Sequence, residues 1–221
     1  MPKINKELQY CFNPDALLEI GVDEAGRGPM LGRVYSAAVI LPKTNELFNH
    51  ALMKDSKKFH SDKKIREVAD YIKANAIAWH VGFSTEQVID KVNIRNATHK
   101  AMHEAIRGVL SKDEISYKLL IDGNDFTPFT RVNSDCSFTQ ISHICIEGGD
   151  NRYSSIAAAS ILAKVSRDTY IEELCLADST LIERYDILNN KGYGTKKHME
   201  GIQKFGITPY HRKSFGICKN Y

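Results

Sequence analysis

Four carboxylates in this sequence could do chemistry together: Asp23, Glu24, Asp122 and Asp150. Each follows an apolar run or a glycine turn. Asp23 and Glu24 close the run Leu17-Leu18-Glu19-Ile20-Gly21-Val22, Asp122 closes Lys118-Leu119-Leu120-Ile121, and Asp150 follows Gly148-Gly149. Two adjacent carboxylates at the end of a buried strand are costly unless positive charge sits beside them. Four converging acids would repel strongly, and some would be forced neutral. Hard divalent cations with oxygen ligands resolve that conflict, and Mg²⁺ or Mn²⁺ are the natural candidates. Two such ions about 3.5–4 Å apart can clamp a phosphodiester, one activating the attacking water and the other stabilising the leaving oxygen.

Gly26-Arg27-Gly28-Pro29 comes directly after the first acid pair. Glycines let a ligand approach backbone N–H groups, and an arginine fork suits phosphate. Taken singly, each feature also has a bland reading. The glycine stretch can be a solvated turn between strands, and Asp122-Gly123 a surface turn. Asp150 can be a helix-start acid. Lys57, in Asp55-Ser56-Lys57-Lys58, is either solvated or a phosphate contact. Tyr193, between Gly192 and Gly194, is either a loop anchor or a stacking surface for a sugar or base. Other chemistries lack their signatures. Glycines at 26, 28 and 32 miss the G-x-G-x-x-G spacing and lead into a strand, no G-x-x-x-x-G-K-[ST] loop is present, and no His/Cys spacing suggests zinc.

These residues need elements to position them. The apolar run into Asp23 reads as a short buried strand, and residues 34–41 as a second, antiparallel to it across the glycine loop and stopped by Pro42. A helix is predicted over residues 61–75 with Ser61 as N-cap. Ile77, Trp79, Val81 and Phe83 alternate with Ala78, His80, Gly82 and Ser84, which predicts a strand with one buried face and His80 at the surface. Thr85 caps a short helix, and a longer one starts near Asn93 with Met102, Ala105, Ile106 and Val109 as its core stripe. Residues 118–121 are apolar on both faces, as in a central strand covered by helices. The helix in its connection permits parallel pairing, which sets Asp122 at the same sheet end as Asp23. A last strand lies within residues 140–147. A helix of small residues follows from Ser154, suited to lie close against a sheet. The tail carries a helix over residues 179–188 and another capped by Thr195 and stopped by Gly206.

The chain has 221 residues, 43% of them hydrophobic, enough for one large domain or a domain with a small appendage. No apolar run approaches the roughly 20 residues of a membrane span. The opening Met-Pro-Lys-Ile-Asn-Lys lacks a signal-peptide hydrophobic region. Five scattered cysteines without a Cys-x-x-Cys pair read as thiols of an intracellular, cytoplasmic protein. Net charge is +3, but residues 191–221 hold seven Lys/Arg against Glu200, leaving the remainder at −3. A basic tail on a mildly acidic body fits a polyanion partner; it fits an ordinary solvated helix face as well.

Assembled, the sequence closely resembles ribonuclease HII. The matching pieces run from about residue 21 to 215: Gly21-Val-Asp-Glu-Ala-Gly-Arg-Gly-Pro29, Asp55-Ser-Lys-Lys58, Ile121-Asp-Gly-Asn124, Gly149-Asp150, Ile156-Ala-Ala-Ala-Ser-Ile-Leu-Ala-Lys-Val165 with Arg167-Asp168, Gly192-Tyr-Gly-Thr195 and His211-Arg-Lys-Ser-Phe215. The resemblance implies an α/β fold of the RNase H-like kind, a mixed five-stranded sheet flanked by helices with a helical C-terminal extension. The corresponding division is a catalytic domain over residues 1–177 and a substrate-binding extension over 178–221. It implies a metal-dependent endonuclease that cuts RNA paired to DNA, including single ribonucleotides embedded in duplex DNA. On the family pattern Asp23, Glu24, Asp122 and Asp150 are the catalytic metal ligands for Mg²⁺ or Mn²⁺. Gly26, Arg27 and Gly28 read the 2′-hydroxyl at the RNA–DNA junction largely through backbone contacts, Tyr193 stacks on the neighbouring deoxyribose, and Lys57 contacts phosphate. The 2′-hydroxyl is the group that tells RNA from DNA.

Cleavage on the 5′ side of the ribonucleotide, leaving 3′-hydroxyl and 5′-phosphate, is the expected outcome, with RNA–DNA hybrid or ribonucleotide-containing duplex as partner, no membrane, and a monomer. Met30 and Arg33 depart from the small or apolar residues and proline expected after the glycine loop, and Arg33 is expected to add charge near the substrate edge. About sixteen residues precede the first strand, which favours HII over HIII with its additional N-terminal domain. The competing classes are a silent hybrid-binding protein, disfavoured by four intact acids, and a phosphoryl-transfer enzyme on small phosphates, disfavoured by the missing P-loop.

Overall fold

Strand β1 (Leu18–Ala25) is the axis of a five-stranded mixed sheet in the computed structural model, which describes residues 7–14, 18–111 and 116–221. Leu17, expected at the start of this strand, and the N-terminal Met-Pro-Lys-Ile-Asn-Lys lie outside the described residues. The remaining strands are β2 (Val34–Ile40), β3 (Ala78–Ser84), β4 (Tyr117–Asp122) and β7 (Ser142–Ile146), in the order β3-β2-β1-β4-β7. β1 pairs antiparallel with β2, and β2 with β3; β4 runs parallel to β1 and to β7. The register sets Val22 opposite Ile121, so the next residues, Asp23 and Asp122, lie side by side at one end of the β1–β4 pair.

Helices cover both faces. On one side α1 (Asp62–Asn75) and α3 (Ser154–Ala177) bury Ile65, Ile72, Ile161 and Leu162 against Ala37 and Val39. On the other, α2 (Glu86–Val109) buries Met102 and Ile106 against Ile20, Val22 and Ile121. The small residues of α3 permit its close approach to β1. A Cβ at Gly21 would stand 2.2 Å from the Ser155 carbonyl carbon, so the strand must carry glycine there. Ser61 and Thr85 cap α1 and α2 as expected, and Asn93, at φ 67°, breaks α2 into the two segments read from the sequence. The Asn93 side chain accepts from the Asn96 N–H at 3.0 Å and so caps the second segment.

Two expectations need correction. In β3 most of the apolar set is exposed: Ile77, before the strand, Trp79 and Phe83 are exposed and Val81 is half-buried against the core, whereas Gly82 and Ser84 are buried and His80 is half-buried. The reason is the proximity of α2, where a Cβ at Gly82 would meet the Ala101 carbonyl oxygen at 2.6 Å. Only the small-residue face fits beneath the helix, and His80 lies over Gly108. The last strand, β7, lies within residues 140–147 as expected, and buried Ile141 bonds back to Phe129 and separates it from a hairpin of β5 (Thr130–Val132) and β6 (Phe138–Gln140). The helix over 179–188 is two, α4 (Thr180–Tyr185) and α5 (Ile187–Asn190), divided at Asp186 with φ 58°.

After these comes α6 (Lys196–Phe205), capped by Thr195. The C-terminal segments pack on the end of the sheet through Leu181, Tyr185, Ile187, Ile202 and Cys218 against Met30, Leu31, Tyr35 and Ile171. Among the described residues no helix is long and apolar enough to cross a membrane.

Candidate active site

The ends of β1 and β4, the turn before α3 and the glycine loop open onto one cleft of about 330 Å³. Asp23, Glu24, Asp122 and Asp150 all line it, together with Gly26, Arg27, Gly28, Lys57 and Tyr193. Every residue assigned from the sequence to catalysis or substrate binding therefore borders the same space. Ser160, Lys164, Arg167, Asp168 and Lys191 border it too. No individual feature of the sequence marks them; the only signal is their position in the Ile156–Val165 match, in Arg167-Asp168 and in the basic tail.

Asp23 is only 5% exposed, and one of its carboxylate oxygens accepts the Glu24 N–H at 2.6 Å. Asp122 accepts the Gly149 N–H at 2.7 Å, which ties β4 to the turn that carries Asp150. Asp150 lies in a 3₁₀ turn after left-handed Gly148, and it accepts from the Asn151 amide at 2.9 Å. Glu24 pairs with Arg27 at 3.2 Å. Each acid thus has its own local hydrogen bond. Held this way, no three Asp, Glu, His or Cys side chains among the described residues converge tightly enough to chelate an ion as they stand. The acids share a cleft without forming a closed cage.

The electrostatics favour a cation. Burial pushes the Asp23 carboxyl well above the ordinary aspartate range, and the nearby charges of Glu24 and Asp122 push further in that direction. Burial also raises Glu24, against the opposing pull of Arg27. Asp150 is raised by burial and then by Asp55 and Asp122. Negative charge gathered out of water in this way is relieved by positive charge. An all-oxygen donor set is the chemistry of Mg²⁺ or Mn²⁺ rather than of zinc, so the residues present fit such ions.

Tyr193 is 50% exposed and faces Gly28, where an added Cβ would stand 3.4 Å from the ring. Its loop is fixed from behind. The Met30 N–H bonds to the Gly192 carbonyl at 2.8 Å, and the Arg167 guanidinium bridges the carbonyls of Leu31 and Lys191. His198 donates from Nδ1 to the Tyr193 carbonyl at 2.9 Å. Behind it His198 and His211 meet at Nε2–Nε2 3.0 Å, and His211 Nδ1 accepts from the Thr208 N–H. That chain of donors requires both imidazoles to be neutral.

The two departures from the expected pattern are accounted for. Met30 is buried under Gly194 and Gly216 in the C-terminal cluster. Arg33 does not border the cleft. Its guanidinium is held between the rings of Phe83 and Tyr170, 4.4 and 4.5 Å from their centroids. The charge expected at the substrate edge is instead used in cation–π packing.

Similar architecture is found in solved structures. The ribonuclease H2 of Pyrococcus horikoshii superposes with a TM-score of 0.70 over 91% of this chain and 95% of that one, at 22% identity. A ribonuclease HIII crystallised with Mn²⁺ gives 0.60 over 85% of this chain and 70% of that one, at 17% identity. The sheet and its flanking helices define the class of the fold, the ribonuclease H type. The sequence narrows it. A ribonuclease HII from Parabacteroides distasonis is 47% identical over 200 residues, 90% of either chain, and the ribonuclease HII family profile matches residues 20–218. The chain belongs to the ribonuclease HII family.

Proposed function

We propose that this chain is an endoribonuclease that cuts the RNA strand of RNA–DNA hybrids and the 5′ side of single ribonucleotides embedded in duplex DNA. The observation that carries the proposal is the meeting of four carboxylates, the Gly26-Arg27-Gly28 loop and Tyr193 around one cleft. Asp23, Glu24, Asp122 and Asp150 hold the ions in this reading. Mg²⁺ or Mn²⁺, when bound as a pair, supplies water activation and stabilisation of the leaving oxygen. Gly26, Arg27 and Gly28 sense the 2′-hydroxyl, and the half-exposed Tyr193 ring stacks on the adjoining deoxyribose. Lys57, on the acidic side of the cleft, takes a phosphate oxygen. Hydrolysis leaves a 3′-hydroxyl and a 5′-phosphate. Residues 1–177 serve as the catalytic domain, residues 178–221 as the substrate-binding extension, and the protein works as a monomer.

One gel tests the proposal. A DNA duplex with a single ribonucleotide is incubated with the protein in Mg²⁺, Mn²⁺ or EDTA. A cut 5′ to the ribonucleotide with either metal, and none in EDTA, is the expected pattern. Binding without cleavage in both metals would leave a hybrid-binding protein instead.

A further inference from the structure

Arg212 is fully buried, although it is a charged residue in a basic tail. Its guanidinium bonds only to main-chain carbonyls of the glycine loop among the hydrogen bonds described. Nη2 donates to Gly26 at 2.6 Å, Nη1 to Arg27 at 3.0 Å and to Pro29 at 2.8 Å, and Nε to Gly32 at 2.8 Å. Its own N–H donates to the Met30 carbonyl at 2.8 Å. Five carbonyls of one seven-residue loop are thereby drawn onto one distant residue.

The consequence follows from the peptide plane. In a trans peptide the carbonyl and the next N–H point in opposite directions, and the described chain has no cis peptide. Fixing the Gly26 carbonyl on Arg212 therefore turns the Arg27 N–H away from Arg212. Fixing the Arg27 carbonyl does the same to the Gly28 N–H. Two successive donors are left on the side of the loop opposite Arg212, and Gly26, Arg27 and Gly28 border the cleft. The next peptide linked to a pinned carbonyl, Pro29–Met30, sends its N–H to the Gly192 carbonyl instead and so couples the same brace to the Tyr193 loop.

We infer that Arg212 is a positioning residue for ribonucleotide selection: it touches no substrate, but it orients the Arg27 and Gly28 amides as a preformed pair of donors for the sugar hydroxyl. This rests on the proposed reading of the 2′-hydroxyl by the loop. Lysine cannot replace it, because an ammonium has neither the planar fork nor the Nε donor needed to span four carbonyls.

The test has two arms. In the free wild-type protein, amide hydrogen exchange followed by NMR should show fast exchange at Arg27 and Gly28 and slow exchange at Met30 and Gly32, whose N–H groups are bonded to Gly192 and Tyr210. In Arg212→Lys, binding to a single-ribonucleotide duplex and to its all-DNA counterpart is compared by fluorescence anisotropy in EDTA. The preference for the ribonucleotide should fall roughly 5- to 50-fold, the loss of one or two neutral hydrogen bonds. General destabilisation would weaken both duplexes alike and leave the ratio intact. A preserved ratio in folded Arg212→Lys overturns the inference. If that variant does not fold, protected Arg27 and Gly28 amides in the free wild-type protein overturn it. The exchange arm needs no substrate, so a failure of the brace is distinguishable from a wild-type protein that shows no ribonucleotide preference at all.

Discussion

Asp23→Asn should separate stability from activity. Asp23 is 5% exposed, and its carboxyl is raised first by burial and then by Glu24 and Asp122. A carboxyl raised in the folded state binds its proton more tightly there than in the unfolded chain. Its stabilising contribution is complete below the unfolded value of 3.8 and is lost as pH rises through the raised one. At neutral pH without metal, the negative charge on that carboxyl therefore costs more free energy in the folded protein than in the unfolded chain. Asparagine keeps an oxygen to accept the Glu24 N–H and removes that charge. Relief of an uncompensated buried charge is worth about 2 kcal/mol. For a chain of this size that is a rise in Tm of roughly 4–8 °C in EDTA. Divalent metal has the complementary effect, stabilising the wild type by about 2.7 kcal/mol at a hundredfold excess over Kd. Thermal melts followed by circular dichroism, in EDTA and in saturating Mg²⁺ or Mn²⁺, read both. The variant should melt higher than wild type in EDTA, gain little from metal, and lose nearly all cleavage. A variant that melts lower in EDTA, or gains as much from metal as wild type, would refute the reasoning.

Other perturbations follow from the same geometry. Gly21→Ala drives a methyl into the Ser155 and Ile156 backbone, the nearest atoms being 2.2–2.5 Å away. Urea unfolding should show a loss of about 2–3 kcal/mol or more, and an unchanged midpoint would mean that α3 does not lie so close. Tyr193→Ala should cut turnover of a single-ribonucleotide duplex roughly 5- to 150-fold, given a stacking contribution of roughly 1–3 kcal/mol, with Tm nearly unchanged because the ring is half exposed. Full activity would remove Tyr193 from the site. Burial and the neighbouring His198 hold His211 down to about 3, and His198 is lowered by burial as well. Both stay neutral when folded, whereas the unfolded chain takes up protons below about pH 6.5. Stability should therefore be complete above that pH and fall by up to about 1.4 kcal/mol per unit per histidine below it. Denaturant midpoints from pH 7.5 to 4.5 would show the slope, and His211→Gln should make it shallower.

Much of the site was legible because its parts sit where local patterns end. An apolar run that stops in Asp-Glu, another that stops in Asp-Gly and a double glycine before Asp150 each mark the end of an element. Parallel pairing of β1 and β4 brings two of those ends together. Caps at Ser61, Thr85 and Thr195 were readable for the same local reason. What could not be read depends on partners far along the chain. Alternation in β3 defines two faces but not which one lies inward; that was decided by the fit of Gly82 beneath α2. Arg212 counted as tail charge because its type suggests solvent, and the carbonyls that neutralise it leave no mark in composition. Arg33 was misread in the same way, since its aromatic partners Phe83 and Tyr170 stand 50 and more residues away.

The bond between Arg212 and Gly32 spans 180 positions, and this separation has a temporal side. During translation the segments bearing the carboxylates leave the ribosome well before the residue that shapes the glycine loop. Until Arg212 is made, the Gly26, Arg27, Pro29 and Gly32 carbonyls lack the side chain that fixes them. On the proposed reading, the residue that orders the glycine loop is therefore the last part of the site to be synthesised.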